Sequence, residues 1–214
     1  MRHRQCALAV KRAMDIGCSL LCLALLLIPF AGVALWVKLD SPGSAFFRQR
    51  RPGKNRGPFR VWKFRTMVHR PEVSGAEAPP EYGDSRVTKA GSFLRRSGID
   101  ELPQLVNVLL GQMSLVGPRP TLWERAERFG PRHQRRFEMK PGITGLALIS
   151  GRNRLTWDQK AELDVFYVEN WNLALDLQIL WKTPWILLRG QGVFMDPEDG
   201  VVSSDRDDDL SNSR

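Results

Sequence analysis

Two adjacent carboxylates, Asp100 and Glu101, follow two arginines, Arg95 and Arg96, and precede an apolar repeat. Leu102, Leu105, Val106 and Leu109 recur at i, i+3, i+4 and i+7, the spacing of one helix face. Pro103 suits the first turn of such a helix, where a backbone N–H has no intrahelical partner, and Gly111 suits its stop. A helix start offers free N–H groups and a partial positive charge, so it attracts a phosphate. It attracts a capping aspartate equally well. The stretch therefore poses a choice between a centre that handles anions or a hard cation and a plain helix cap.

Other residues share that chemistry. Gly117-Pro118-Arg119-Pro120 fixes φ on either side of one arginine and so aims a guanidinium at a phosphate or carboxylate, or else makes a structural turn. Residues 44–66 alternate loosely around the turn signals Arg51-Pro52-Gly53 and Gly57-Pro58, which predicts a β-hairpin with Lys63 and Arg65 on one face of its second strand. Arg152, in the polar loop Gly151-Arg152-Asn153, is a further cation within reach of an anion. Thr121/Glu124 and Thr156/Gln159 have capping-box spacing. The second box opens a helix with Leu163, Phe166 and Tyr167 on one side and Asp164 as a scaffold carboxylate. Leu173, Leu177, Leu180, Trp181, Pro184, Trp185 and Leu188 then form a broad apolar stripe, either interfacial or buried.

The net charge of +9 over 214 residues is uneven. From Met195 onward seven acids face two arginines, a net of −5 that leaves +14 on residues 1–194. A basic body implies anionic partners, and the acidic, aperiodic end reads as a disordered tail. Three cysteines, Cys6, Cys18 and Cys22, give no disulfide framework, and His3, His69 and His133 match no zinc spacing. No recognition helix or RNA-binding signature accompanies the basic hairpin, so nucleic acid is not an expected partner. Pro71 to Ser85 reads as a mobile loop.

Ile16 to Val37 are 22 residues without a charge, long enough to span a bilayer. Both flanks are basic, and basic flanks prefer the cytoplasm. A helix broken at Ile28-Pro29 that returns to the same face satisfies both; a kinked single span is the alternative. Lys11 and Asp15 stand four apart, close enough to pair where the helix enters.

In order along the chain stand Lys11-Arg12-Ala13-Met14-Asp15, Lys63-Phe64-Arg65-Thr66-Met67, Arg86 to Arg95, Asp100 to Leu109, Met113 to Pro120, Lys140-Pro141-Gly142-Ile143-Thr144-Gly145, Gly151-Arg152-Asn153 and Leu163 to Val168. Together they resemble the bacterial sugar transferases, the small monotopic phosphoglycosyl transferases that prime glycan assembly on polyprenyl phosphate. The chain departs from the family pattern at Leu148 and Ser150, where relatives carry amides, and at Val68-His69-Arg70-Pro71.

The resemblance implies a mainly α fold with a small β-hairpin (α+β). Residues 1–40 form a basic amino-terminus and a re-entrant membrane helix broken at Pro29. Residues 41–194 form a compact catalytic domain with interfacial amphipathic helices, and residues 195–214 the disordered tail. It implies transfer of a phosphosugar from a UDP-sugar to undecaprenyl phosphate, with Mg2+, membrane lipids as partners and release of UMP. The site is the cytoplasmic face of the bacterial inner membrane, and the pathway one of capsule, exopolysaccharide, O-antigen or glycoprotein assembly. Asp100 is then nucleophile and metal ligand, with Glu101 its partner in both tasks. Lys63, Arg65, Arg95, Arg119 and Arg152 bind the phosphates. Monomer and dimer both remain open. A membrane-anchored basic binding protein without catalysis is the rival reading.

Overall fold

The computed structural model describes residues 2–68, 85–151 and 154–188. Arg152, nearly all of the expected loop over Pro71–Ser85 and the acidic tail lie outside them. Described residues form a mainly helical protein with one hairpin, as the sequence implies.

Helix α1 runs from Arg2 to Asp40 with Pro29 inside it. The expected break at Ile28-Pro29 is therefore absent: the helix continues through both residues. Proline removes one backbone hydrogen bond and bends the axis, but the bonds on either side persist and hold the two halves as one helix. Among the described residues α1 alone is long and apolar enough to cross a membrane. Its mid-section is the bare part, with Leu25 70% and Ile28 82% exposed. Both ends, by contrast, are gripped by the rest of the chain.

The hairpin forms as expected. Strand β1 (Phe46–Pro52) pairs antiparallel with β2 (Pro58–Phe64), with Phe47 opposite Lys63. Helix α2 (Lys89–Ser97) starts at Thr88, whose hydroxyl accepts from Gly91 N. Asp40 at the end of α1 accepts from Ala90 N at 2.9 Å, so α1 supplies a carboxylate to the positive end of α2. Phe64, Ala90, Leu94 and Val37 make the core between them, with Phe30 edge-on to Phe64 at 5.4 Å. Each large apolar side chain buried here contributes roughly 1.5–3 kcal/mol.

Helix α3 (Gln104–Leu109) follows a turn described below. Strand β3 (Ser114–Val116) pairs in parallel with β4 (Gly142–Thr144). The sequence pattern shows only turns there, because three-residue strands are too short to display alternation. Gly117 and Gly142 pass so closely that a Cβ on Gly142 would lie 2.1 Å from Gly117 N. Two short helices, α4 (Trp123–Arg128) and α5 (Pro131–Gln134), precede β4. The Thr121/Glu124 box does not form: α4 begins at Trp123 without a side-chain cap, and Thr121 is buried instead. After α6 (Leu146–Ser150), α7 (Trp157–Asn170) opens on the expected Thr156/Gln159 box.

Helix α8 (Leu173–Leu188) decides the apolar stripe. Leu177, Trp181 and Trp185, at i, i+4 and i+8, are exposed, whereas Ile179 and Asp176 are buried. The tryptophans therefore line an outward face rather than the core. An exposed apolar stripe on a helix fits a membrane interface.

The amino-terminal half of α1 is tied in by charges. Lys11 Nζ donates to Val116 O at 2.9 Å and to Asp176 at 2.7 Å, and Arg12 donates to Val108 O and Leu109 O at the end of α3. Asp15 accepts from Ser114 Oγ and Leu115 N. The expected Lys11–Asp15 pair is thus replaced. Each residue finds a partner on the folded body, where the backbone of β3 and the carboxylate of Asp176 are buried and need one.

Candidate active site

Helix α2 ends at Gly98, whose φ of 72° lies in the left-handed region that glycine adopts without strain. The reversal drops the chain into one 3-10 turn, Ile99–Glu101, and α3 starts only at Gln104 with Pro103 before it. The helix is shorter than the sequence pattern predicts. Its buried face is Gln104, Leu105, Asn107 and Val108, offset from the predicted stripe because the 3-10 turn changes the phase. Neither the turn nor α3 is capped by a side chain. Asp100 is not a helix cap.

Asn107 explains how the hairpin meets this turn. It is fully buried, donates Nδ2 to Arg60 O at 2.7 Å and accepts from Trp62 N at 3.0 Å. By replacing a missing strand partner for β2, it fixes Lys63 beside Glu101. A polar residue inside an apolar helical pattern was the signal for it, and for Gln104, which lines the cleft with Lys63, Glu101 and Arg119.

Glu101 is saturated. Its Oε1 accepts from Lys63 Nζ at 2.7 Å and from Arg119 Nη2 at 2.6 Å, while Oε2 accepts from Arg119 Nη1 at 3.0 Å. Burial pushes its carboxyl up, but the charges and hydrogen bonds of Arg119 and Lys63 overcome burial and hold it well below the usual carboxylate range. Asp100 is the opposite case. Among the described residues no donor hydrogen-bonds to its carboxylate. Burial and then the neighbouring charge of Glu101 push it up to about 6, against the pull of Lys63, Arg95 and Arg119. It stays mainly ionised at neutral pH, and as a more basic anion than an ordinary aspartate.

The expected cations divide. Lys63 and Arg119 reach Glu101 directly. Arg95 donates Nε to Thr66 Oγ1 at 2.8 Å and stands close enough for its charge to act on Asp100. Arg65 is not brought to the site. Its guanidinium donates to Val37 O, Ser41 O and Pro42 O, so it clamps the chain leaving α1, whose carbonyls have no helical partner. Arg152 lies outside the described residues.

Behind Arg119 stands a residue that sequence patterns do not reveal. Arg136 is buried, donates Nη2 to Arg119 O at 2.8 Å and pairs with buried Asp164. Burial pushes Asp164 up to about 6, against the pull of Arg136. The pair anchors the backbone of Arg119 between its two prolines, which confirms Asp164 in a scaffold position.

Among the described residues no group of three or more His, Cys, Asp and Glu converges. The described residues alone therefore build no all-protein metal cage. Mg2+ commonly takes only one or two carboxylates and completes its shell with substrate phosphates and water. Asp100 fits that donor set; Glu101, with both oxygens held by cations, fits it poorly.

The family model for bacterial sugar transferases matches residues 6–190. The chain is 45% identical to an uncharacterised sugar transferase, EpsL, of Bacillus subtilis, over 86% of this chain and 90% of the relative. It is 41% identical to the UDP-glucose:undecaprenyl-phosphate glucose-1-phosphate transferase of Caulobacter vibrioides, over 81% of this chain and 67% of that one. With the undecaprenyl-phosphate galactose phosphotransferase of Salmonella typhimurium it shares 37% identity, over 86% of this chain and 42% of the relative.

Proposed function

The chain belongs to the bacterial sugar transferase family, and from that premise we propose that this transferase moves a phosphosugar from a UDP-sugar to undecaprenyl phosphate, through a covalent intermediate on Asp100. The observation that carries the reading is the asymmetry of the two carboxylates. Glu101 is locked by Lys63 and Arg119, while Asp100 is ionised, buried and, among the described residues, without a hydrogen-bond donor. A carboxylate with unshared lone pairs in a cationic frame is a nucleophile for phosphorus. Membership of an enzyme family removes the rival of a binding protein without catalysis.

In the first step an Asp100 oxygen bonds to the sugar-bearing phosphorus. The bond from that phosphorus to UMP breaks, and UMP leaves with the electron pair. In the second an oxygen of undecaprenyl phosphate bonds to the same phosphorus, and Asp100 recovers its pair. Glu101 holds Arg119 and Lys63 in place. Arg119 spends two of its five N–H groups on Glu101 and keeps others for phosphate. Phosphoryl transfer depends mainly on such charge placement. Mg2+ would be held by Asp100 and, when bound, would supply positive charge to offset that of the phosphates.

The anchor belongs to the same reading. Lys11 and Asp15 before the apolar run, Val37 at its end and Asp40 after it all grip one folded body. A span would part these flanks by about 30 Å of hydrocarbon. The bare mid-section of α1, bent at Pro29 without being broken, thus dips into the cytoplasmic leaflet and returns, and the outward stripe of α8 rests on the interface where the acceptor's phosphate lies. Membrane-impermeant labels placed before Ile16 and after Val37 are expected to react only from the cytoplasmic side. Opposite accessibility of the two positions overturns the re-entrant topology.

The chemistry is tested by intact mass. Wild type incubated with a UDP-sugar and Mg2+ but without acceptor is expected to gain one phosphosugar, and Asp100→Asn to gain none. An adduct on Asp100→Asn, or full turnover by it, sinks the assignment.

A further inference from the structure

Two amide side chains lie on the buried face of α3, and the fold uses only one of them. Asn107 donates Nδ2 to Arg60 O and Gln112 Oε1 and accepts from Trp62 N. Gln104, one turn earlier, is only 2% exposed, yet among the described residues nothing hydrogen-bonds to its amide. The amide atoms are not sealed off either. They open into the cleft that Arg51, Val61, Lys63, Glu101, Arg119 and Pro120 line with it. Burying an amide without a partner is unfavourable, so the group is one that a ligand completes.

The rest of the lining sets the charge of that ligand. Three cations share the cleft with one carboxylate, Glu101, whose two oxygens are already taken by Lys63 and Arg119. Such a lining suits an anion, and the oxygen of an anion takes a donor. Asp100 and Gln104 also belong to one rigid segment. Glu101 N donates to Gly98 O, Leu102 N to Ile99 O and Leu105 N to Leu102 O, which closes every turn between them.

We propose that Gln104 is a further catalytic residue, whose amide donates to a non-bridging oxygen of the phosphoryl group that Asp100 receives from the UDP-sugar. The proposal rests on the reading of Asp100 as covalent nucleophile. A neutral donor has an advantage over another cation here. It holds the phosphoryl oxygen without pairing with Asp100 as Arg136 pairs with Asp164. The amide gives up no proton, and the phosphoryl group stays an anion through both displacements, so one hydrogen bond serves each of them.

The test uses the full chain in lipid nanodiscs and follows the gain of one phosphosugar by intact mass. The donor is UDP-glucose, UDP-galactose or UDP-N-acetylgalactosamine, whichever labels wild type. Sulfur is then placed at either non-bridging position of the sugar-bearing phosphorus, which gives two further donors of opposite configuration. Labelling rates of wild type and Gln104→Met are compared with all three. Methionine fills nearly the same space, has no donor and costs the fold no hydrogen bond. With the oxygen donor, Gln104→Met is expected to label about 10–100-fold more slowly, the loss of one hydrogen bond to a charged group. Sulfur accepts hydrogen bonds weakly, so with sulfur at the contacted position that penalty should all but vanish, and with the opposite configuration it should persist. A purely structural role gives the same penalty with every donor. That result, or no penalty at all, overturns the proposal. Should Gln104→Met fail to fold, Gln104→Leu is read through the same three donors. Wild type that gains no mass from any UDP-sugar is a different result, and breaks the reading of Asp100 rather than that of Gln104.

Discussion

Asp100 and Asp164 are both buried aspartates beside arginine, and burial pushes each up to about 6. They differ in what answers the carboxylate. Asp164 is paired with Arg136, which ties it to the backbone of Arg119. Among the described residues no such donor reaches Asp100, and Lys63 and Arg119 are turned toward Glu101. Equal burial thus serves two ends. A buried carboxylate with its own guanidinium builds a scaffold, whereas one whose cations are held by a neighbour keeps its lone pairs for a substrate.

The sharpest way to break this comparison is to neutralise each aspartate in turn. Asp100→Asn is expected to lower turnover by roughly 10³-fold or more, the scale of losing a covalent nucleophile. Because the described residues give Asp100 no hydrogen bond to lose, its denaturation midpoint should stay at or above that of wild type. Asp164→Asn leaves Arg136 buried without its counter-charge and is expected to cost about 3–5 kcal/mol of stability, measured by denaturant unfolding. The reverse pattern, with Asp100→Asn unstable and Asp164→Asn merely inactive, would exchange the two roles.

Arg119→Lys removes the bidentate grip on Glu101 while keeping the charge. A loss of about 10–100-fold in kcat/KM is expected, the equivalent of one or two charge-assisted hydrogen bonds. Wild-type rate from Arg119→Lys would show that a point charge suffices.

The smallest effect is the response to pH. As the proposed nucleophile Asp100 must be ionised, so formation of the covalent adduct should fall as pH drops through about 6. Mg2+, should it bind Asp100 as proposed, would favour the anion and move that midpoint down. Both aspartates sit above their ordinary value of 3.8, so the folded state holds more protons than the unfolded chain between about 4 and 6. Their contribution to stability therefore rises as pH falls through that window and is lost as pH rises. Inactivation at pH 5 should be reversible on return to neutrality. Irreversible loss over the same range would point to unfolding elsewhere.

Much of the molecule is legible in the residues themselves. The hairpin follows from alternation around Pro-Gly turns, and the α7 start from Thr156 and Gln159. The basic flanks of the apolar run already ask for one side of a membrane. Elsewhere local signals mislead. Lys11 and Asp15 have pairing distance, yet the buried polar groups of the body claim each separately. Arg65 resembles Lys63 in sequence context but is drawn to the carbonyls at the end of α1. Thr121 has cap spacing, and burial takes it away from α4.

Sequence by itself determined the class of chemistry: adjacent carboxylates among cations, a proline-framed arginine and an apolar anchor are matters of residue type and order. Tertiary structure alone decided the division of labour. Which carboxylate keeps its lone pairs depends on where Lys63, Arg119 and Arg136 arrive from segments 18 to 38 residues away from the carboxylates they bind, a reach that only folding closes. Desolvation, which makes Asp100 more basic than a free aspartate, likewise exists only once α2, α3 and the hairpin have closed around it.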